Sequence, residues 1–362
     1  MKTFLREFYF NHLDQKRIIS RINDGKRDLN AALANATPTT KEQQEEIRAF
    51  WKPYVRNFVE KVAFDMRWFD VYNRTNIFGN QLKHYIPDGY YYAVIDTFFN
   101  DSVRCKYMDD KNLYDLYFHD VNQAKTICRK EGNVYLDKDY REISMQQAVN
   151  LCKNGGGCII KPSVQAWSGA GISKWTESID DEKVLQDALR VKGSLVVQEL
   201  IKQHRCLSQF NPTCVNTLRL VTLHYDGRTE LVTAVAIIGG KGAFTNHLHR
   251  GGLICGIHPD GRMYHTAFDG KLNEYKQHPC GPVFEECSIY NFHKCVSLVK
   301  DLAPRLFGMS KMTAWDITID EAGEPLLIEA NFEYGGVVQK AAGPVFGDKT
   351  EEILTYIQHN RK

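Results

Sequence analysis

A chain of 362 residues is long enough to build two or three lobes rather than one small core. Its 46 basic residues nearly balance its 44 acidic ones, so there is no global argument for a nucleic-acid partner or an anionic membrane surface, and only a local basic cleft stays open. A hydrophobic fraction of 43% and a charged fraction of 25% are those of a globular protein, and no run of about 18 apolar residues suggests a membrane span.

The opening MKTFLREFYFNHLDQK is broken by Arg6 and Glu7 and lacks the long apolar core of a secretory signal. Ten cysteines are scattered singly with no CxxC pair; they read as reduced small hydrophobes, and the expected location is cytoplasmic. His247-x-His249 is the one close histidine pair and makes a poor zinc signature.

Residues 1 to about 70 read as helical. Ile18, Ile19, Ile22, Leu29 and Leu33 form an apolar stripe, and Thr39 with Glu42 offers a capping box for a helix through Phe50, Trp51 and Tyr54. Residues 84–107 are rich in aromatics and β-branched residues around a Pro87-Asp88-Gly89 turn, which predicts a small strand-containing domain or a cleft wall. Asp109-Asp110-Lys111-Asn112 starts a helix-like segment, Tyr135-Leu136 is a strand, and Ser144-x-x-Gln147 caps a helix ending at Gly155-Gly156-Gly157.

The strand CIIKP delivers Lys161 to its end. A small-residue loop through Ser168, Gly169, Ala170 and Gly171 follows, and the strand ISKWT returns. Such a loop either lays backbone N–H groups over phosphates or is a plain hairpin turn, and it matches neither the Walker pattern nor GxGxxG. Asp180 to Arg190 reads as a helix and SLVVQELI, Ser194 to Ile201, as a strand joining this lobe to the main body. NTLRLVTLH and LVTAVAII form a hairpin across Asp226-Gly227. Arg219, charged among apolar neighbours there, needs an anionic partner, either a core carboxylate or a ligand phosphate.

The 14 residues Gly239 to Gly252 are too polar and glycine-rich for a regular element. Lys241, Asn246 and Arg250 could hold an anionic substrate, or the loop is merely solvated. Another hairpin crosses Pro259-Asp260-Gly261, a helix runs from about Glu286 to Leu306, and the tail from Lys349 is a final helix.

Between them lies WDITIDEAGEPLLIEAN, Trp315 to Asn331, a β-hairpin. A two-residue Ala322-Gly323 turn pairs Ile317 with Ile328, Ile319 with Leu326 and Asp316 with Glu329, and Asn331 lies on the same face as the two carboxylates. Carboxylates roughly 5 Å apart at Cβ repel unless a cation lies between them, and oxygen ligands of this kind suit Mg²⁺. The other reading is the polar outer face of an ordinary hairpin.

A lysine after an acidic pair, IIKP with a small-residue loop, VVQELI, NTLRL and finally D-x12-E-x-N occur in an order that resembles the ATP-grasp superfamily. NTLRLVT with HLHRGG is most similar to its sugar-transfer-associated branch. The resemblance covers roughly Asp109 to Gly343. It implies an α+β fold in which two α+β lobes clamp ATP behind an N-terminal largely helical region. The boundaries it implies are 1–108 for the helical and pre-ATP-grasp region, 109–200 for the small lobe or lid, and 201–362 for the large lobe with the metal site.

The resemblance further implies that Lys111 and Lys161 contact ATP phosphates beneath a loop containing Ser168, Gly169 and Gly171. Gln198, Glu199, Leu200 and Ile201 would line the adenine pocket, and His204 would reach the ribose. Asp316, Glu329 and Asn331 would hold two Mg²⁺ ions, for which Mn²⁺ can substitute. Arg219 and Lys161 would serve the transferred phosphoryl group, and Asn246, Arg250, Gly251 and Gly335 the substrate.

Relatives of this kind phosphorylate a carboxylate and let an amine or thiol displace the phosphate, so no protein nucleophile is needed. The expected activity is therefore an ATP-dependent carboxylate–amine ligase, with a place in cell-surface polysaccharide or glycoconjugate assembly. The alternative is a kinase acting on the hydroxyl of a sugar or other small molecule. Expected partners are a small-molecule carboxylate and an amine or sugar, without nucleic acid.

Overall fold

The computed structural model describes residues 2–164, 171–306, 308–332 and 335–361, with backbone alone for residues 2–15, His249 and Gly335. Thirteen strands occur among them. In chain order they are β1 (Thr126–Glu131), β2 (Val134–Asp137), β3 (Glu142–Ile143), β4 (Gly157–Pro162), β5 (Ser173–Thr176), β6 (Leu195–Glu199), β7 (Thr217–Tyr225), β8 (Arg228–Ile238), β9 (Leu253–Ile257), β10 (Met263–Phe268), β11 (Glu274–Tyr275), β12 (Met312–Ile319) and β13 (Pro325–Asn331).

They form two antiparallel sheets. The smaller runs β3-β2-β1-β6-β4-β5 and the larger β11-β10-β9-β8-β7-β12-β13. With the helices this is the α+β architecture expected, preceded by a helical N-terminal region that includes α1 (Lys2–Ala32) and α3 (Trp68–Thr75).

The small sheet closes on its own core. Cys128, Cys158, Ile160, Trp175 and Val197 pack against helices α4 (Met145–Asn154) and α5 (Glu182–Leu189), which contribute Val149, Cys152, Leu185 and Leu189. The predicted capping box is present at the start of α4, where the Ser144 side chain accepts from Gln147 N–H and Gln147 reaches back to Ser144 N–H.

The large sheet has two covered faces. One packs on α6 (Phe292–Leu302) through Leu218, Leu220, Ala234, Trp315 and Ile317, with Cys295 and Val299 from the helix. The other packs on the N-terminal region through Val221, Leu223, Val235, Ile254 and Met312, joined by α7 (Thr350–Asn360) with Ile353 and Leu354. The N-terminal region from Ile18 on thus shares a core with the C-terminal helix.

Several expectations shift. Helix α2 (Lys41–Trp51) is capped by Thr40 with Gln43 rather than by Thr39 with Glu42; Thr39 instead bonds the Asp70 carboxylate through its N–H and hydroxyl, both at 2.8 Å. Of the first helix stripe, Ile22 and Leu29 are buried while Ile19 faces solvent. The long helix before the hairpin begins at Phe292, not Glu286.

Residues 84–107 hold no strand; they are helical turns, Asp88–Tyr90, Tyr91–Asp96, Thr97–Phe99 and Ser102–Cys105. Pro87 sets the entry and Asp88 occupies the first turn, where a carboxylate suits the helix N-terminus. Tyr90, Tyr91, Ala93, Val94 and Ile95 are all buried. A helix covered on every side loses its amphipathic period, and tertiary packing then overrides the β preference of its residues.

Candidate functional site

Three neighbouring strands bring three charges into one row. Arg219 on β7 pairs with Asp316 on β12, and Asp316 pairs with Glu329 on β13. Asn331 lies two residues beyond Glu329, opposite Ala314, on the same side of the pleat.

The predicted opposition of Asp316 and Glu329 is present, but its route differs. The turn holds three residues, with Gly323 at φ +86°, closed by Gly323 N–H donating to Asp320 O at 2.9 Å. Ile319 therefore faces Pro325 and Ile317 faces Leu327, instead of Leu326 and Ile328. A bulge between Asp316 and Ile317 then restores the phase. The extra residue bends and twists the strand and re-aims the side chains beyond it, here Glu329 and Asn331.

The Arg219 Nε and Nη2 groups donate to both carboxylate oxygens of Asp316, each at 2.8 Å. From the other side, Lys111 Nζ lies 3.3 Å from Glu329 Oε2. Lys111 is positioned by a short turn capped by Asp110, whose side chain accepts from Asn112 N–H, and its own N–H donates to Ser163 O at 2.9 Å. Lys161 arrives on β4. Burial pushes its ammonium down to about 8, Lys111 adds to that, and Glu329 opposes it. Burial alone would raise Glu329, but Lys111, Lys161 and Arg219 outweigh it and hold the carboxyl below its ordinary range. Asp316 is raised by burial against the opposing pull of Arg219.

Three buried polar atoms without a hydrogen-bond partner lie on these residues or beside them, Asn331 Nδ2, Asn112 Oδ1 and Ser163 Oγ, and another, Asp88 Oδ1, lies in the N-terminal region. Buried polar groups are nearly always satisfied, so these three call for a partner such as water or a bound group. Two carboxylates and an amide oxygen on one face are a donor set that fits a hard divalent cation. Among the described residues no group of three or more His, Cys, Asp or Glu converges in a way that could hold a metal.

The model of the sugar-transfer-associated ATP-grasp family matches residues 94–354, more than half of the chain. The chain belongs to the sugar-transfer-associated ATP-grasp family. Among curated proteins none matches it.

Solved structures similar to this ATP-grasp chain include the D-alanyl-alanine synthetase A of Vibrio cholerae, at 13% identity and a TM-score of 0.43, covering 70% of this chain and 64% of that one. A D-alanine–D-alanine ligase from Bacillus anthracis follows at 13% and 0.41, with 72% and 69% covered. An L-amino acid ligase from Bacillus licheniformis matches at 14% and 0.40, with 69% and 48% covered. The chain thus spans less than two thirds of the first and third of these. Membership of the family rests on the match over residues 94–354 alone.

The remaining expected residues of the ATP-grasp site fall in three places. The first is the junction between the sheets. Gln198 is buried and donates to Ala124 O at 3.1 Å, Glu199 has an exposed side chain, and Leu200 and Ile201 are half-buried in the crossing after it. His204 caps a short helix, its Nδ1 accepting from Cys206 N–H, and stacks on Tyr290 at 4.5 Å.

The second place is the Gly239 to Gly252 loop. Asn246 turns inward and donates to Thr217 Oγ1 at 2.9 Å and Ile237 O at 3.3 Å. Thr217 is two residues before Arg219 on β7, so this anchor docks the loop beside the charged row. Arg250 is exposed, and Gly251 comes next in the left-handed region at φ +82°.

The third place is Gly335, which opens the turn Gly335–Val338 after β13. Of the phosphate loop, Gly171 sits at φ +76° against Pro162, while Ser168 and Gly169 lie outside the described residues.

Sequence reasoning missed Tyr114, Ser163, Asn112 and Gln203. Tyr114 Oη accepts from Ala330 N–H at 3.0 Å, tying the Lys111 turn to the edge strand between Glu329 and Asn331. Ser163 directly succeeds Lys161-Pro162 and lies within reach of a motif reading. Gln203 binds both Asn216 backbone groups, donating to O at 2.7 Å and accepting from N–H at 3.0 Å, a contact that local sequence does not announce.

Proposed function

We propose that this chain is an ATP-dependent carboxylate–amine ligase that activates a small-molecule carboxylate as an acyl phosphate. The observation that carries this reading is the convergence of Lys111, Lys161 and Arg219 on the Asp316–Glu329 pair where the two sheets meet. Phosphoryl transfer asks a protein chiefly for positioning and charge neutralisation, and this cluster offers both.

In this reading Asp316, Glu329 and Asn331 hold Mg²⁺, which supplies charge neutralisation at the phosphates. Lys111 and Lys161 bind phosphate oxygens, and Arg219 faces the transferred group. The Gln198 to Ile201 crossing borders the adenine, with His204 near the ribose. Asn246, Arg250, Gly251 and Gly335 border the substrates, which are an acid and an amine or amino sugar of cell-surface glycoconjugate assembly.

The test is incubation with Mg²⁺, ATP, candidate acids and hydroxylamine. A hydroxamate together with ADP supports the acyl phosphate. A phosphorylated acceptor without hydroxamate would replace the ligase by a kinase on the same site.

A further inference from the structure

We infer that Arg219 and Lys111 are built-in stand-ins for the divalent ions, so that the Asp316–Glu329 pair accepts metal only when a nucleoside triphosphate arrives to take over the two cationic side chains. This rests on the proposed nucleotide site and concerns the order in which that site is assembled.

Both oxygens of Asp316 are held by the Arg219 fork at 2.8 Å, and Glu329 faces Lys111 at 3.3 Å. A bidentate guanidinium–carboxylate pair is among the stronger charge-assisted contacts and occupies the edge of the carboxylate that a metal would use. Asp316 is 6% exposed and Lys111 5% exposed, so water screens these charges poorly. Counting Lys111, Lys161 and Arg219 against Asp316 and Glu329 leaves one positive charge in excess. A divalent ion added alone raises that excess to three, next to a guanidinium. A triphosphate reverses the sign and offers oxygens to the same three cations.

The parts also differ in freedom. Asp316 and Glu329 are short side chains fixed on paired strands, whereas Arg219 and Lys111 end long stems that can swing while their backbones stay bonded. The exchange therefore moves cations, not carboxylates: metal replaces Arg219 and Lys111 on Asp316 and Glu329 as phosphate receives them.

Mn²⁺ binding to the full chain, read by electron paramagnetic resonance of the free ion, tests this with and without adenylyl imidodiphosphate, correcting for ion held by the free analogue. The wild type is expected to bind Mn²⁺ at least about tenfold more tightly when the analogue is present. Without nucleotide, Arg219→Gln and, less strongly, Arg219→Lys are expected to bind Mn²⁺ more tightly than the wild type. If Arg219→Gln is too unstable to titrate, a rise in its melting temperature on adding Mn²⁺ reads the same gain. Equal Mn²⁺ affinity of the wild type with and without bound analogue overturns the inference, as does the absence of any gain in both variants. Should calorimetry show that the analogue does not bind, the nucleotide reading falls, while a gain in the variants still supports the stand-in role.

Discussion

One face of the large sheet is two different surfaces joined end to end. Along β7, Thr217 and Arg219 lie toward the small sheet, and Val221, Leu223 and Tyr225 continue the same face under the N-terminal helices. Along β12, Asp316 is succeeded in the other direction by Ala314 and Met312. The strands, ladder and spacing are shared; only the covering differs. The apolar half is sealed by side chains contributed from both ends of the chain, while the charged half faces Lys111 and Lys161, which arrive from outside the sheet. Burial of carbon stabilises the first half, whereas burial of charge in the second is offset by the Arg219–Asp316 and Lys111–Glu329 pairs. A single platform can thus hold a buried charged cluster beside the core that fixes its geometry.

Substitutions in the two halves should separate cleanly. In the charged half, Glu329→Gln is expected to lower metal-dependent ATP turnover by about 10²- to 10³-fold, while nucleotide binding measured by calorimetry persists. Unchanged turnover would sink the site assignment. In the apolar half, Leu223→Ala removes a fully buried side chain and should destabilise the fold by roughly 2–5 kcal/mol in denaturant titration, with turnover per folded molecule retained. A parallel loss of turnover would show that the two halves are not separable.

Asp88 probes the N-terminal covering. It is buried at 8% exposure, and burial pushes its carboxyl up to about 6, against the pull of Lys340. Because the folded value lies above the ordinary one of 3.8, the associated stability is fully present below about pH 4 and is lost as pH rises through about 6. The loss is on the order of 3 kcal/mol. Asp88→Asn should flatten that part of the stability–pH curve, and a slope that survives the substitution would assign it to other groups. The smallest effect is expected at Thr40→Ala, which removes an exposed helix cap and should cost about 1 kcal/mol, seen as a lower melting temperature with no change in nucleotide affinity.

The charged half was more legible in the sequence than the apolar one. Asp316 and Glu329 announce themselves as carboxylates in alternating strands, and their opposition survives because the longer turn and the bulge at Ile328 cancel in phase. The same two features changed the partners of Ile317 and Ile319, since turn geometry and bulges depend on backbone contacts that alternation alone does not encode. Residues 88–96 read as strand because β-branched and aromatic residues surrounded by partners lose their helical period. Tyr114 and Gln203 act through contacts between segments far apart in sequence, and no local pattern carries that information.

The chain passes into and out of the small sheet by two neighbouring crossings, and the Lys111-Asn112 turn is bonded to the sheet as well. The chain enters through residues 122–125, where Leu327 N–H donates to Asn122 O at 2.8 Å, and leaves through residues 199–203, with Glu199 N–H donating to Lys125 O at 2.9 Å. Gln203 then locks onto Asn216 and bridges to Asp320. Two strands fastened side by side behave as the pin of a door: the sheet they carry can swing about that line but has little freedom to slide. Lys161 lies on that sheet and Lys111 is bonded to Ser163 beside it, so any swing about this line would carry the two lysines together.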